Sequence, residues 1–315
     1  MTTYKGINGF AVQSVATDPS PLDEGQVWYN NATYAFKLAG IQAAAWATGG
    51  NLNTARQLMA NAGTQTAALV AGGDSGVRSA ATELYDGTSW TTSGTLPLAR
   101  YGISGAGTQT AALAFGGLRA SPAAIVTNSD SFNGTSWTPT SALNTGKLNA
   151  AGSGTQTAAL SFGGTYTTES WNGSSWTTLP ATLNTTRFYL AGCGTQTASL
   201  AFGGEAPPAS AATESWNGSS WTSVNSLNTA RAVLGGAGTQ TLALAFGGGG
   251  PTGATELWNG TSWTASTAMA TARSGLVGAG TQTAGLGTGG YAAGYKNNTE
   301  EFTGAAVATK TITTS

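Results

Sequence analysis

The sequence predicts an all-β fold made of one repeated four-stranded sheet, and three observations lead there. The tetrapeptide G-T-Q-T begins at Gly63, Gly107, Gly154, Gly194, Gly238 and Gly280, at spacings of 44, 47, 40, 44 and 42 residues. A Gly-Gly pair follows nine residues later each time, at Gly72, Gly116, Gly163, Gly203, Gly247 and Gly289. An Asn-Gly turn between β-forming residues, as at Asn172-Gly173, then closes a second hairpin. A period of this size marks a repeat architecture, so the 315 residues are read as one closed object rather than as about two domains.

Residues 1–40 precede the repeats. Asp18-Pro19-Ser20-Pro21 reads as a turn or linker. The run from Gln26 to Tyr29, then Asn30-Asn31, then Ala32 to Phe36, predicts a β-hairpin, because Asn tolerates the positive φ of a two-residue turn. Asp23-Glu24 reads as a solvated loop, and the opening Met1 to Lys5 lacks the apolar core of a signal peptide.

The third copy shows the logic of the repeat. Ala151-Gly152-Ser153 leads into the turn at Gly154, and Thr157 to Phe162 runs to Gly163-Gly164. A short apolar run bounded by glycines is a strand covered on both faces. Thr168 to Trp171, Asn172-Gly173, and Ser174 to Thr177 form the second hairpin. The four strands, a to d, grade from tiny residues in strand a to Trp and Tyr in the outer strands. Small side chains suit strands converging on an axis, and large ones fill sheets as they widen, which is the taper of a β-propeller.

The Gly-Gly at the end of strand b, with an aromatic and a Trp downstream, resembles the Kelch repeat over residues 40–304. In this chain the aromatic and the Trp lie five apart (Trp171 and Trp176), and that family's flanking charges are sparse. The resemblance implies a Kelch-like β-propeller at residues 41–304, and the six copies, closed as follows, make it six-bladed. The d-strand Trp stands 17 residues before the next G-T-Q-T at Trp90, Trp137, Trp221 and Trp263, and 18 before at Trp176. Trp46 is in the same register before Gly63, while the sixth copy has a c-like strand, Thr299 to Phe302, and no Trp. We therefore expect the N-terminal strand around Trp46 to complete the last blade, leaving no open sheet edge. Residues 305–315 are then a tail or an added strand, and the alternative is a seventh blade built from the 26–36 hairpin.

A second ladder accompanies the repeat. A base sits seven residues before each G-T-Q-T (Arg56, Arg100, Lys147, Arg187, Arg231, Arg273), and an acid sits in each strand c (Glu83, Asp130, Glu169, Glu214, Glu256, Glu300). One structural ion pair or capping contact per blade explains this better than a ligand-binding ring. From the second Gly of Gly-Gly to that acid the distances are 10, 13, 5, 10, 8 and 10, so the b–c loops absorb the length variation. Variable loops on a rigid frame are where binding concentrates. The candidate residues there are Asp74, Arg78, Arg119, Tyr166, Glu205, Tyr291, Tyr295 and Lys296, with Leu118 and Ile125 beside them, and the tyrosines suit stacking on a sugar ring.

Other chemistries are disfavoured. A net charge of −1 gives no footprint for nucleic acid, and no 18-residue apolar run spans a bilayer. The chain has no His, which removes His-based triads, His metal sites and the copper chemistry of galactose-oxidase-like propellers. No phosphate loop occurs. The six acids occupy equivalent positions, so none is singled out as a catalytic acid or base, and we expect no enzyme, cofactor or metal. The single Cys193 stands where other copies have Ala and reads as a buried small residue. Asn-x-Ser/Thr at Asn133, Asn172, Asn217 and Asn259 coincides with turns and reads as turn chemistry.

The segment DPSPLDEGQVWYNNATYAFKLAG resembles the opening of structural proteins of tailed bacteriophages, especially marine ones, in which a G-Q-[VI]-W-Y-N hairpin precedes a variable outer part. That resemblance implies a virion structural protein. Residues 1–40 would dock to other virion proteins through Trp28, Tyr29, Tyr34 and Phe36, and the propeller would face outward toward a host-surface glycan. The chain would sit on the particle surface, in the tail or as capsid decoration, with self-association as a further partner. The rivals are a secreted or cell-surface lectin-like propeller and an intracellular Kelch adaptor.

Overall fold

A computed structural model describes residues 3–5 and 11–312. Met1 and Thr2 of the opening stretch, residues 6–10, and the last three residues of the expected 305–315 segment lie outside the described residues. The chain divides into two compact units, Met1–Ala45 with Gly304–Ser315, and Trp46–Thr303.

The first unit is a five-stranded sheet. Its strands are β1 (Thr3–Lys5), β2 (Ala11–Val15), β3 (Val27–Asn30), β4 (Ala35–Gln42) and the C-terminal strand Ala306–Thr311, hydrogen-bonded in that order. The 26–36 hairpin, weighed as a seventh blade, is the centre of this separate sheet, and β2 runs parallel to β3, unlike a blade meander. Its turn also differs from the expected two-residue Asn-Asn loop. Asn30 pairs with Ala35, leaving four loop residues. The Asn30 side chain explains this: Oδ1 accepts from the N–H groups of Ala32 (3.0 Å) and Thr33 (2.9 Å), an Asx turn. Tyr34 then takes the left-handed φ of 54°. Asp18, from the expected linker, fastens the hairpin. It accepts from Asn30 Nδ2 (2.7 Å), Trp28 Nε1 (2.9 Å) and Lys37 Nζ (3.3 Å). Those donors, Asn30 foremost, hold its carboxyl below the usual range.

The second unit holds six four-stranded sheets, numbered 1 to 6 by their G-T-Q-T. In sheet 3 the strands are Ala151–Gly154, Ala159–Phe162, Thr168–Trp171 and Trp176–Leu179, antiparallel throughout. Sheet 6 takes strands a to c from Val277–Gly280, Ala284–Thr288 and Thr299–Thr303, and its fourth strand is β5 (Ala45–Gly49). The turns are tighter in chemistry than in length. Trp171 pairs with Trp176, so the c–d loop has four residues. Asn172 Oδ1 accepts from Ser174 N (3.0 Å) and Ser175 N (2.9 Å). The Asn therefore serves its turn by capping backbone donors as well as by tolerating the bend. Gly154, at φ 101°, opens the a–b turn, where an added Cβ would stand 2.2 Å from the Ala158 carbonyl oxygen.

Three hydrogen-bond series run from sheet to sheet and return to their start. The first is backbone only. Gly102 N donates to Leu58 O, Asn149 N to Gly102 O, Tyr189 N to Asn149 O, Val233 N to Tyr189 O, Gly275 N to Val233 O, and Leu58 N to Gly275 O, at 2.8–3.0 Å. All six residues are left-handed, with φ from 55° to 67°, although only two are glycine. Leu58 and the β-branched Val233 pay strain for this geometry.

The second series explains the Gln of G-T-Q-T. Each Gln side-chain amide donates to two backbone carbonyls of the preceding sheet. Gln156 reaches Ala112 O (3.1 Å) and Phe132 O (2.5 Å), and Gln65 of sheet 1 reaches Gly285 O (3.1 Å) and Phe302 O (2.8 Å) of sheet 6.

The third series uses the d-strand Trp, whose Nε1 donates to the first residue of strand c in the preceding sheet. Trp90 bonds Thr299, Trp137 Thr82, Trp176 Ser129, Trp221 Thr168, Trp263 Thr213, and Trp46 Thr255, at 2.8–3.3 Å. Trp46 also packs on Phe302 (5.2 Å between ring centroids) and Phe246 (5.1 Å). Phe202–Trp263 (5.0 Å) is the equivalent of the latter contact one sheet earlier.

The charge ladder is buried. Arg56–Glu83, Arg100–Asp130, Arg187–Glu214, Arg231–Glu256 and Arg273–Glu300 are ion pairs at 2.5–3.0 Å. Their side chains are at most 4% exposed, so they cannot ring an open ligand site. The acids also tie in the connection that enters their sheet: Glu83 accepts from Asn53 N (2.7 Å), and Glu214 from Asn184 N (2.6 Å).

Sheet 3 departs from this pattern. Lys147 donates to the carbonyls of Ser161 (3.4 Å) and Thr167, while Glu169 accepts from the N–H groups of Asn144 (2.8 Å) and Thr145 (3.1 Å). Burial pushes the Lys147 ammonium down to about 8, with Glu169 opposing. Between that value and 10.5 the unfolded chain holds a proton that the folded chain has released. Stability from this group therefore rises with pH across the window and is lost on acidification through it. Lys147→Arg stays charged throughout, so the difference in melting temperature between wild type and variant should grow in favour of wild type from pH 8 to 10. A pH-independent difference would refute it.

Candidate functional site

The b–c loops and d–a connections share one face, and backbone bridges tie them together. Gln57 pairs with Asp74 and Asp74 with Arg78, Phe188 with Glu205 and Glu205 with Ala209, Ser274 with Tyr291 and Tyr291 with Tyr295. In sheet 2 the longest loop extends the same pattern, with Arg100–Tyr101, Leu118–Arg119 and Ala124–Ile125 forming a small three-stranded sheet. Loops of ten or more residues thus become short flaps standing on the connection beneath them. The loops of sheets 3 and 5 are too short to do so.

Four of the eight candidate loop residues come together. Tyr291 and Tyr295 meet edge to face at 5.5 Å. Tyr295 donates its hydroxyl to Asp74 Oδ2 (3.2 Å). Asp74 Oδ1 lies 3.6 Å from Arg78 Nη1 and accepts from Gly76 N at 3.2 Å. The Arg78 guanidinium stacks 4.3 Å above the Tyr101 ring. Desolvation, then the Asp74 charge, raises the Tyr295 hydroxyl. The track crosses loops of sheets 6 and 1 and ends on the connection into sheet 2.

The other four are placed differently. Arg119 closes its own loop by donating Nε to Pro122 O (3.1 Å). Tyr166 is 78% exposed on the shortest loop. Glu205 lies in the sheet 4 flap. Lys296 is held by its backbone, which donates to Gly290 O and accepts from Arg56 N.

Tyr101 and Tyr189 escaped the sequence reading because they sit in the d–a connections, which look uniform in length. The usable signal was composition: the position before the left-handed ring holds Gln57, Tyr101, Leu148, Phe188, Ala232 and Ser274, which vary as freely as the loops. Tyr189 belongs to the ring itself and lines a cavity of about 110 Å³ at the centre of this face. Leu58, Asn149 and Val233 share the mouth, and Asn61 and Ser104 lie among the glycine-rich strands a below. Among the described residues, no Asp, Glu, Lys or Arg lines it. Burial, first of all, raises the Tyr189 hydroxyl.

In the first unit the four candidate docking residues separate. Trp28 is fully buried and belongs to the core, against its expected docking role, because strand alternation sends it to the covered side with Asn30. Tyr29 stacks against Phe36 at 5.0 Å, and Phe36 is 44% exposed. Tyr34 is 81% exposed at the turn. Cys193 is buried, and burial pushes its thiol up to about 12, so it is an inert packing residue.

Among known proteins, no family model matches the chain, and no curated protein does. Among solved structures, YjhT superposes with a TM-score of 0.69 over 82% of this chain and 99% of that one, at 14% identity. The likeness gives the fold, which is all-β and propeller-like.

Proposed function

We propose that the chain is a non-enzymatic structural protein of a bacteriophage particle. In this reading the repeat unit is a six-bladed Kelch-like β-propeller completed by β5, the first unit docks to other virion proteins, and the propeller serves adhesion to the host. The observation that carries the reading is that the two segments flanking the repeats join in one small sheet distinct from them, centred on the G-Q-V-W-Y-N hairpin. A compact unit outside the repeats can be held by a partner while leaving the repeat unit intact. Val27, Tyr34, Phe36, Ile41, Val307 and Ile312 are exposed apolar side chains of that unit suited to such docking. The blade count is supported by the three hydrogen-bond series, each of which visits six sheets. The absence of catalysis is supported by the engagement of all six repeated acids with buried bases or backbone amides.

A secreted lectin-like propeller is the second reading, favoured by the track from Tyr291 to Tyr101. Gold-labelled antibody against residues 1–40, imaged on purified particles by negative stain, separates the two. Label confined to disrupted particles is expected; particles free of the protein would refute the virion reading.

A further inference from the structure

We propose that the loop face binds an uncharged saccharide, seated between the central cavity at Tyr189 and the Tyr101–Arg78–Asp74–Tyr295 track. This rests on the adhesion reading above and names its ligand class.

Three features select that class. The first is aromatic surface beside a matched donor and acceptor. Tyr101, Tyr189 and Tyr291 are all partly exposed. A sugar offers the same combination, a C–H face for stacking and hydroxyls that both donate and accept. The second is charge. Arg78, the cation within the track, is already paired with Asp74 and held over Tyr101, which disfavours its use on a carboxylate, sulfate or phosphate. Among the described residues, the cavity supplies no cation either. Desolvating an anionic ligand there would go unrepaid. The third is rigidity. Tyr295, Asp74, Arg78 and Tyr101 hold one another in sequence, and the flaps are bridged to connections rooted in the backbone ring. A preformed site loses little entropy on binding a flexible polyhydroxylated ligand. An apolar ligand is less suited, since the exposed surface of the cavity is more polar than apolar, with Asn61, Ser104, Asn149 and Tyr189 set among Leu, Ile and Val side chains.

The test uses the full chain on a surface array of uncharged polysaccharides (dextran, mannan, galactan) and acidic ones (alginate, hyaluronan). Binding to at least one uncharged member and to neither acidic one is expected. Arg78→Ala and Tyr101→Ala should each weaken that binding about tenfold or more, while Thr155→Ala, in an a–b turn, should leave it unchanged. Asp74→Asn, a gentler change whose folding is checked by its melting temperature, should weaken it as well. Binding only to acidic glycans, no binding to any uncharged one, or affinities indifferent to all three site variants would each overturn the inference. The outcome is separable from particle labelling: a chain absent from particles that still binds dextran keeps this site and loses the virion reading, and a virion protein that ignores every uncharged glycan does the reverse.

Discussion

Trp46→Ala lowers the stability of the repeat unit by about 3 kcal/mol, in the range of large-to-small aromatic changes in cores. The indole of Trp46 does three things at once: it packs on Phe302 of its own sheet, packs on Phe246 of the neighbouring one, and donates to Thr255 Oγ1 at 3.1 Å. Removing it takes away apolar burial, two ring contacts and a hydrogen bond. It also loosens β5, the only strand of sheet 6 that comes from before the repeats. For a unit of this size the melting temperature should fall by roughly 6–12 °C. Tyr34→Ala, which removes an 81% exposed ring, is the control and should change little. Calorimetry that finds the two variants alike would show that β5 is dispensable.

Glu214→Ala costs more, about 3–5 kcal/mol, because it strands a buried charge. Arg187 has no exposed side-chain surface and ends on Glu214 Oε1 at 2.8 Å. Its other donors are occupied by the carbonyls of Gly203 and Ala212, both at 2.6 Å, so it cannot turn to solvent. The same substitution frees Asn184 N, which donates to Glu214 Oε2. Desolvation already pulls the Arg187 guanidinium below its ordinary value, and Glu214 is what opposes that pull. The double variant Arg187→Met/Glu214→Leu removes both charges and should recover most of the loss. Urea unfolding measures both, and a single variant no worse than the double would contradict a stranded charge.

The two units differ in how far sequence alone carried the reading. In the repeats, pattern and register agree at every level. The position of Trp46, 17 residues before Gly63, anticipates a d strand, and β5 lies beside Thr299–Thr303. The pairing of base and acid was legible from spacing because one residue of each sign recurs per copy. Lys147 looked equivalent to the five arginines, yet its compact ammonium reaches two carbonyls and not Glu169, whereas the forked Arg187 guanidinium reaches two carbonyls and Glu214 together. The first unit gave less away. Only its hairpin has a local signal. Ala306–Thr311 pairs with a strand distant in sequence and β2 pairs parallel rather than as a hairpin, and neither carries a local mark of its partner.

The sequence by itself determined the all-β class, the six repeated sheets and the face on which loop length varies. These are local or periodic properties, written wherever glycine, proline, asparagine and apolar residues fall. Only tertiary structure decided which side chains meet. It set Tyr295 on Asp74 and Arg78 on Tyr101, drew Tyr189 to the central cavity, and sent Trp28 inward while leaving Phe36 exposed. Such meetings depend on the rotation from one sheet to the next and on how each flap folds back. Neither quantity is encoded in the neighbours of any one residue.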